Sequence, residues 1–494
     1  MAGGRLSKNR FNFSFNILLA LCFAVILLFF FFTYDQAGTS SVDNNHYADI
    51  VICFAFVFCG VAWLFLKKLN LFNSKTLVAL IMICGFALRL SYAIRYGYNQ
   101  HQHDVESLQS FGHLSYINTL AFDGALPQIN DWQFSHPPLH HFLAALVVRF
   151  SDALGFSLNR AFENVQLLTV FYSSITMLVG VKILERCNIK GNALLFCSLL
   201  LSFHPTFTIL AGSINNDILT ILLSMCAVYC LIIWYQSPSV KLAVICGLFC
   251  GLAMMTKVSA ALIAVVIAIS VIIKKASSKQ FGFKCFWVQT AMFLLVFLPL
   301  GLWHPIRNYI LFDQPLGYVA PISTDSQLFI GDYSVFERLF SLFSNDGVGV
   351  YVNVWEEYNL PTYILRNSLF GEYSFGNYGV ALFAIIANAV LILSTLISVV
   401  ILIIKRYNGY SNIIPLTVLF FIQIAFFVYF NIKYPFGCSM DFRYIVPTLF
   451  SGIVFLGAVM NDEHSSSSVA IKCLSLTIKF AATVLCISSV VIML

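Results

Sequence analysis

The sequence predicts an all-α polytopic membrane protein, with about 13 transmembrane helices, juxtamembrane helices and an external loop region. Three observations carry this. Of 494 residues, 59% are hydrophobic and only 10% are charged, where a soluble globule carries about 25% charge. Runs such as 17–33 and 381–404 are long enough to cross a hydrocarbon core of about 30 Å as helices. Basic residues gather in short connections, while acids and histidines gather in others, the asymmetry that sets orientation in a bilayer. Backbone groups in lipid must bond internally, so spans this apolar are helical; the strict alternation of a membrane barrel is absent.

Charge threads the chain. Arg5, Lys8 and Arg10 place the N-terminus in the cytoplasm. The first apolar run, about 15–33, is too long for a signal-peptide core and lacks a small-residue cleavage site, so it reads as a span. Asp35, Asp43 and Asp49 follow outside, and a second span, about 49–66, returns to Lys67-Lys68. Span 3, about 76–94, exits to a long polar stretch, 95–137. Residues 138–156 carry His140, His141, Arg149 and Asp152 and read as a juxtamembrane helix, because a full span there would put Lys182, Arg186 and Lys190 outside.

Spans at about 165–183, 192–211, 217–235, 240–255 and 258–273 follow, with Asn215-Asn216-Asp217 and Lys257 in outer turns. Lys274, Lys275, Lys279 and Lys284 are inside, and span 9, about 285–303, exits at His304. Residues 304–376 read as an external segment, and spans at about 378–404, 412–431, 444–460 and 469–493 finish the chain. The expected division is 1–75 (two N-terminal helices), 76–303 (a catalytic core with the external loop 95–137), 304–376 (external loops) and 377–494 (C-terminal helices).

Several classes fall away. The net charge of +6 comes from short basic loops, which points to membrane orientation and away from nucleic acid. Most of the 14 cysteines lie in apolar runs and only Cys438 falls in an external loop, so neither a disulfide framework nor a zinc site is expected from them. No internal repeat and no glycine-rich phosphate loop is present, which weighs against an inverted-repeat transporter and against nucleotide use.

The chemistry-bearing clusters all thread to the non-cytoplasmic side. In His101-Gln102-His103-Asp104-Val105-Glu106, Asp104 and Glu106 are either solvated loop acids or, if partly buried, proton acceptors for an attacking hydroxyl or amine. His101 and His103 beside Asp104 form a weak metal pattern, and no metal ligand is assigned. His136-Pro137-Pro138-Leu139 forces an extended approach and then starts a helix, holding the acidic loop over the membrane surface. Helix capping explains one residue of Asn215-Asn216-Asp217, not all three, and Asp217 either serves the helix start alone or also faces a ligand or a cation. Lys257 either snorkels or pairs with a lipid phosphate. Arg307, in Trp303-His304-Pro305-Ile306-Arg307-Asn308-Tyr309, is suited to bidentate phosphate contact. Arg443, in Asp441-Phe442-Arg443-Tyr444, either pairs with Asp441 or makes a second phosphate or sugar contact. Carboxylates that activate an acceptor, cations that stabilise a phosphate leaving group, and Tyr, Trp and Asn for sugar contact are the chemistry of glycosyl transfer from a lipid-phosphate sugar.

These residues resemble the GT-C superfamily of membrane glycosyltransferases, in the branch of protein O-mannosyltransferases and lipid A aminoarabinose transferases. The resemblance rests on His103-Asp104-Val105-Glu106, Pro137-Pro138-Leu139, Asn215-Asn216-Asp217, Thr256-Lys257, Trp303…Arg307-Asn308-Tyr309…Pro315-Leu316-Gly317 and Arg443-Tyr444-Ile445-Val446-Pro447. It implies inverting transfer from a polyprenyl- or dolichyl-phosphate sugar to a protein, lipid or glycan acceptor, in a bacterial plasma membrane or the endoplasmic reticulum. Asp104 would be the base or orient the acceptor, with Glu106 beside it. His136, Asn216, Asp217, Lys257, His304, Arg307, Asn308, Tyr309 and Arg443 would bind substrate. No cofactor is fixed by it, and a divalent cation stays open. Val105 separates two acids that the best-known branch has adjacent, and two spans precede the family's first. The competing functions are a transporter or flippase for a lipid-linked sugar, a ligase or polymerase for lipid-linked glycans, and a non-catalytic partner subunit. Span middles nearly free of charge favour the enzyme over the transporter.

Overall fold

The computed structural model describes residues 3–35, 38–105, 111–129, 131–278, 281–342, 357–405, 410–462 and 468–494. Among them the chain is all-helical, with no strand and one isolated bridge, Phe329 to Phe436. Helices α1 (Gly3–Thr33), α2 (Ser41–Lys68) and α3 (Ser74–Arg95) open the chain. After α4 (His113–Asn118) come α5 (Leu139–Ala153), α6 (Leu158–Arg186), α7 (Gly191–Phe203), α8 (Pro205–Gly212) and α9 (Asp217–Gln236). Then follow α10 (Val240–Met254), α11 (Ala261–Ser277), α12 (Phe283–Phe312), α13 (Val335–Phe340) and α14 (Leu360–Phe370). The last four are α15 (Tyr378–Lys405), α16 (Tyr410–Lys433), α17 (Pro447–Asp462) and α18 (Val469–Met493).

Eleven helices among the described residues are long and apolar enough to cross a bilayer, or twelve if the bent pair Gly437–Ile445 and Pro447–Asp462 counts as one. The expected thirteen is therefore not reached. The first shortfall is α10, whose 15 residues rise about 22 Å at about 1.5 Å each. It ends at Met254, within a residue of the expected 240–255, and is shorter than a full crossing needs. The second is the 50° bend before α17. The stretch 138–156 forms α5, a 15-residue helix below span length. A single unbroken helix, α12, carries residues 304–312, so His304 to Tyr309 belong to its last turns and not to an external loop.

Polarity sorts the helices. α3, α6, α9 and α17 are buried on most faces, whereas α1, α2, α11 and α12 turn most of their side chains outward. Lipid supplies no hydrophobic drive between helices, so the central ones pack through small and hydroxyl residues. Thr169 Oγ1 donates to the Ala211 carbonyl (2.7 Å) and Ser173 Oγ to the Phe207 carbonyl (2.8 Å). α10 lies so close to α12 that a Cβ on Gly247 would sit 2.7 Å from the Phe293 carbonyl oxygen.

One charge does sit deep in the bundle. Arg89 of α3 is fully buried. Pro205 lacks an N–H and splits α7 from α8, which frees carbonyls at the end of α7. The Arg89 guanidinium supplies the missing donors, to the carbonyls of Ser202 (2.7 Å) and Leu201 (3.0 Å), and also bonds Gly85 (2.8 Å) and Ser173 Oγ (2.9 Å). It is a structural clasp for the broken helix.

Candidate active site

Six polar segments meet at one end of the bundle. The first follows α3. Gln102 ties it down by donating to the Gly212 carbonyl (2.8 Å) and accepting from the Ile214 N–H (2.9 Å). His101 stacks between Tyr96 and Tyr373, with ring centroids at 4.1 and 4.7 Å, and meets the Tyr92 hydroxyl at 3.1 Å. His101 and Asp104 both adopt left-handed backbone, φ +50° and +56°, a region non-glycine residues seldom occupy and Asp tolerates better than most. Asp104 is thereby held at a sharp turn with its side chain 44% exposed.

The Pro-Pro-Leu turn docks against the Lys257 turn, where the Leu139 N–H donates to the Met255 carbonyl (3.0 Å). His136 presents its carbonyl to the Tyr116 hydroxyl (3.2 Å) and stacks its ring on His113. Beneath it lies a cluster of buried histidines. His113 Nδ1 and His141 Nε2 are 2.8 Å apart, and His140 Nε2 donates to the Ile214 carbonyl (2.8 Å). Burial, then neighbouring histidines, holds the His113 and His141 imidazoles well below the ordinary range.

The three residues of the third segment divide the work. Asn215 Oδ1 accepts from the Asp217 N–H (3.1 Å), Asn216 Nδ2 donates to the Thr256 carbonyl (3.0 Å), and Asp217 bonds the Lys257 ammonium. Asp217 is 4% exposed and Lys257 12%, so the cation that Asp217 faces is this lysine. Lys257 also lies over the Tyr444 ring, 4.9 Å from its centroid.

Arg443 joins these segments. Its guanidinium lies 3.3 Å from Asp104, 3.7 Å from Asp217 and 3.5 Å from Asp441. Three carboxylates share five N–H donors, none at the close bidentate spacing of a strong fork. The ion pair with Asp441 expected from the sequence is present, and Asp104 and Asp217 are added to it.

The remaining segment supplies residues that sequence did not single out. Arg366 of α14 donates to the carbonyls of Gly371 (2.8 Å) and Tyr373 (2.6 Å), fixing the turn that carries Glu372. Glu372 Oε2 lies 3.2 Å from His103 Nδ1. Burial pushes the Glu372 carboxyl up, but the bond to His103 and the charges of His103 and Arg443 outweigh it and hold the group below the usual carboxylate range. Asn367 Oδ1 accepts from the Phe442 N–H (2.5 Å), anchoring the turn of Asp441 and Arg443 to α14. Gly371, which takes φ +57° directly before Glu372, is the one local sequence feature that marks this turn.

Other expected site residues stand apart from the ion pairs. Arg307 donates to the Pro127 carbonyl (2.8 Å) and to Asn308 Oδ1 (3.1 Å), and so fastens the loop before the Pro-Pro-Leu turn. Asn308 reaches the Ser135 carbonyl (3.3 Å) and Gln314 (3.0 Å). His304 is buried with neither ring nitrogen hydrogen-bonded, and Tyr309 is exposed. Glu106 lies outside the described residues.

No curated protein matches the chain. The stretch 135–303 holds the Pro-Pro-Leu turn, Asp217 and Lys257, whereas Asp104, Glu372 and Arg443 fall outside it. Residues 135–303 match the family described as dolichyl-phosphate-mannose-protein mannosyltransferase, so this multi-pass membrane protein, which resembles the GT-C superfamily, carries a glycosyltransferase family domain.

Proposed function

We propose that the protein transfers a sugar from a polyprenyl- or dolichyl-phosphate donor to an acceptor, with inversion, on the non-cytoplasmic face of its membrane. The observation that carries the reading is Arg443, loosely shared among Asp104, Asp217 and Asp441 beside Lys257. Asp104 is the most exposed of these carboxylates for which an ion pair is seen, and it accepts the proton of the acceptor hydroxyl. The acceptor oxygen attacks the anomeric carbon, the bond from that carbon to the phosphate oxygen breaks, and the lipid phosphate departs. Arg443, with donors to spare, and Lys257 stabilise the leaving phosphate, and Asp217 holds both cations in place until it arrives. His136, Asn216, His304, Arg307, Asn308 and Tyr309 shape the surrounding walls.

A cavity of about 430 Å³ supports a lipid-linked donor. It opens among α9, α10, α11 and α12, the helices whose other ends carry Asp217, Lys257 and His304, and is lined by Trp234, Ala264, Ala268, Phe293 and Phe297. The family match brings dolichyl phosphate and a protein acceptor as the first pair to try. The test is incubation of the purified protein with labelled polyprenyl- and dolichyl-phosphate sugars and a peptide acceptor. Release of lipid phosphate with sugar of inverted anomeric configuration on the peptide is the expected result. Sugar carried across vesicles without cleavage would instead make the protein a transporter.

A further inference from the structure

Three side chains from distant segments meet beside Asp104. They are His103, Glu372 and Asp441, and one ligand-type atom of each lies within 4.8 Å of the other two. His103 is 4% exposed and Asp441 2%. His103 Nδ1 and Glu372 Oε2 stand 3.2 Å apart. A carboxylate and a bare imidazole nitrogen are both acceptors, so something positive belongs between them, either a proton or a cation. Asp441 Oδ2 is buried and accepts no hydrogen bond, with the Arg443 Nε at 3.5 Å as an ionic neighbour. Ligands bound about 2.0–2.2 Å from one ion lie roughly 3–3.5 Å from each other. The His103–Glu372 spacing already fits, and Asp441, within 4.8 Å of both, needs to close by at most about 1.3–1.8 Å to complete the set.

Charge and support point the same way. Asp104, Asp217, Glu372 and Asp441 are four carboxylates in one neighbourhood, and the cations seen among them are Lys257, Arg443 and Arg366. Arg366 spends two of its donors on backbone carbonyls. The cluster is left anionic. Its ligands rest on fastened turns, Glu372 through Arg366 and Asp441 through Asn367, as metal ligands require of their second layer. One imidazole nitrogen with two carboxylate oxygens suits a first-row divalent ion and leaves coordination positions open.

We propose that His103, Glu372 and Asp441 bind one divalent zinc or manganese ion, and that its open position takes a phosphate oxygen of the lipid-linked donor. The second half rests on the transferase reading; the first half does not. The test uses the full-length protein in detergent, stripped with chelator and titrated with Mn²⁺ while the electron paramagnetic resonance signal of free Mn²⁺ is followed, with Zn²⁺ as competitor. One equivalent bound and displaced by Zn²⁺ is expected. His103→Gln and Glu372→Gln should each weaken binding at least tenfold, and Asp332→Asn, remote from the cluster, should not. Wild-type protein that binds less than one equivalent, leaving a proton on His103 as the occupant, overturns the site, as does equal binding by the two ligand variants. The wild-type titration decides even if a variant fails to fold. Metal binding without sugar transfer would refute the transferase reading alone; full transfer by metal-free protein would refute the metal's part in it.

Discussion

Arg443 pairs with Asp104 across 339 residues of sequence, at 3.3 Å. This contact brings the turn after α3 against the turn before α17, and the same guanidinium reaches Asp217. Asp217 is therefore the anion that Arg443 and Lys257 share. Asp217→Asn should destabilise the protein by about 3–5 kcal/mol, because buried Lys257 loses its carboxylate and Arg443 keeps only Asp104 and Asp441. Lys257→Met should cost less, since Arg443 still faces Asp217. Thermal unfolding in detergent of the two single variants and the double variant checks this. Additive losses would mean that the pair is not coupled.

Arg89 makes its own prediction. It bonds three backbone carbonyls and Ser173 while fully buried. Arg89→Met removes the donors that satisfy the broken end of α7, and unmade buried bonds cost about 1–3 kcal/mol each. Much reduced yield of folded protein and a clearly lower melting midpoint are expected. A midpoint equal to wild type would show that α7 and α8 do not need the clasp.

Acid should loosen the histidine cluster at the start of α5. His140 is fully buried, and burial pushes its imidazole down to about 4, against a smaller upward pull from its bond to the Ile214 carbonyl. The unfolded chain has this group at about 6.5. Between about 4 and 6.5 the unfolded state binds more protons, so stability rises with pH across that window and is lost as pH falls through it. The melting midpoint should drop from pH 7 to pH 5, and His140→Gln should make the dependence shallower. A midpoint flat in pH would contradict the burial.

Arg307 separates loop support from phosphate contact. Its guanidinium is engaged by the Pro127 carbonyl and Asn308. Arg307→Ala should therefore raise protease sensitivity near residues 124–129 while leaving the donor KM close to wild type, whereas Lys257→Ala raises the donor KM. Parallel rises in both variants would return Arg307 to the phosphate.

Much of this architecture was legible because composition and apolar run length act locally. The helices at 17–33 or 381–404 need no partner to be recognised. Hydropathy located α10 to within a residue but counted its 15 residues as a full crossing. It failed in the other direction at His304, where α12 continues through Pro305. In the candidate site, Asp104, Asp217, Lys257 and Arg443 were readable as charges stranded at the ends of apolar runs. Glu372 was not, and His103 read only as a weak metal pattern with His101, because the pairing of Glu372 with His103 depends on a turn built by Arg366 and its 269-residue separation leaves no trace in spacing. Arg89 was invisible for the same reason, since its partners are carbonyls freed by a proline on another helix.

The central claim is that Asp104 takes the acceptor's proton. Its most direct test is a single-turnover reaction of Asp104→Asn with bound labelled donor. The account predicts that this variant inserts, melts near the wild-type midpoint and retains the donor, yet transfers sugar at least about 100-fold more slowly. Wild-type turnover by Asp104→Asn would contradict it.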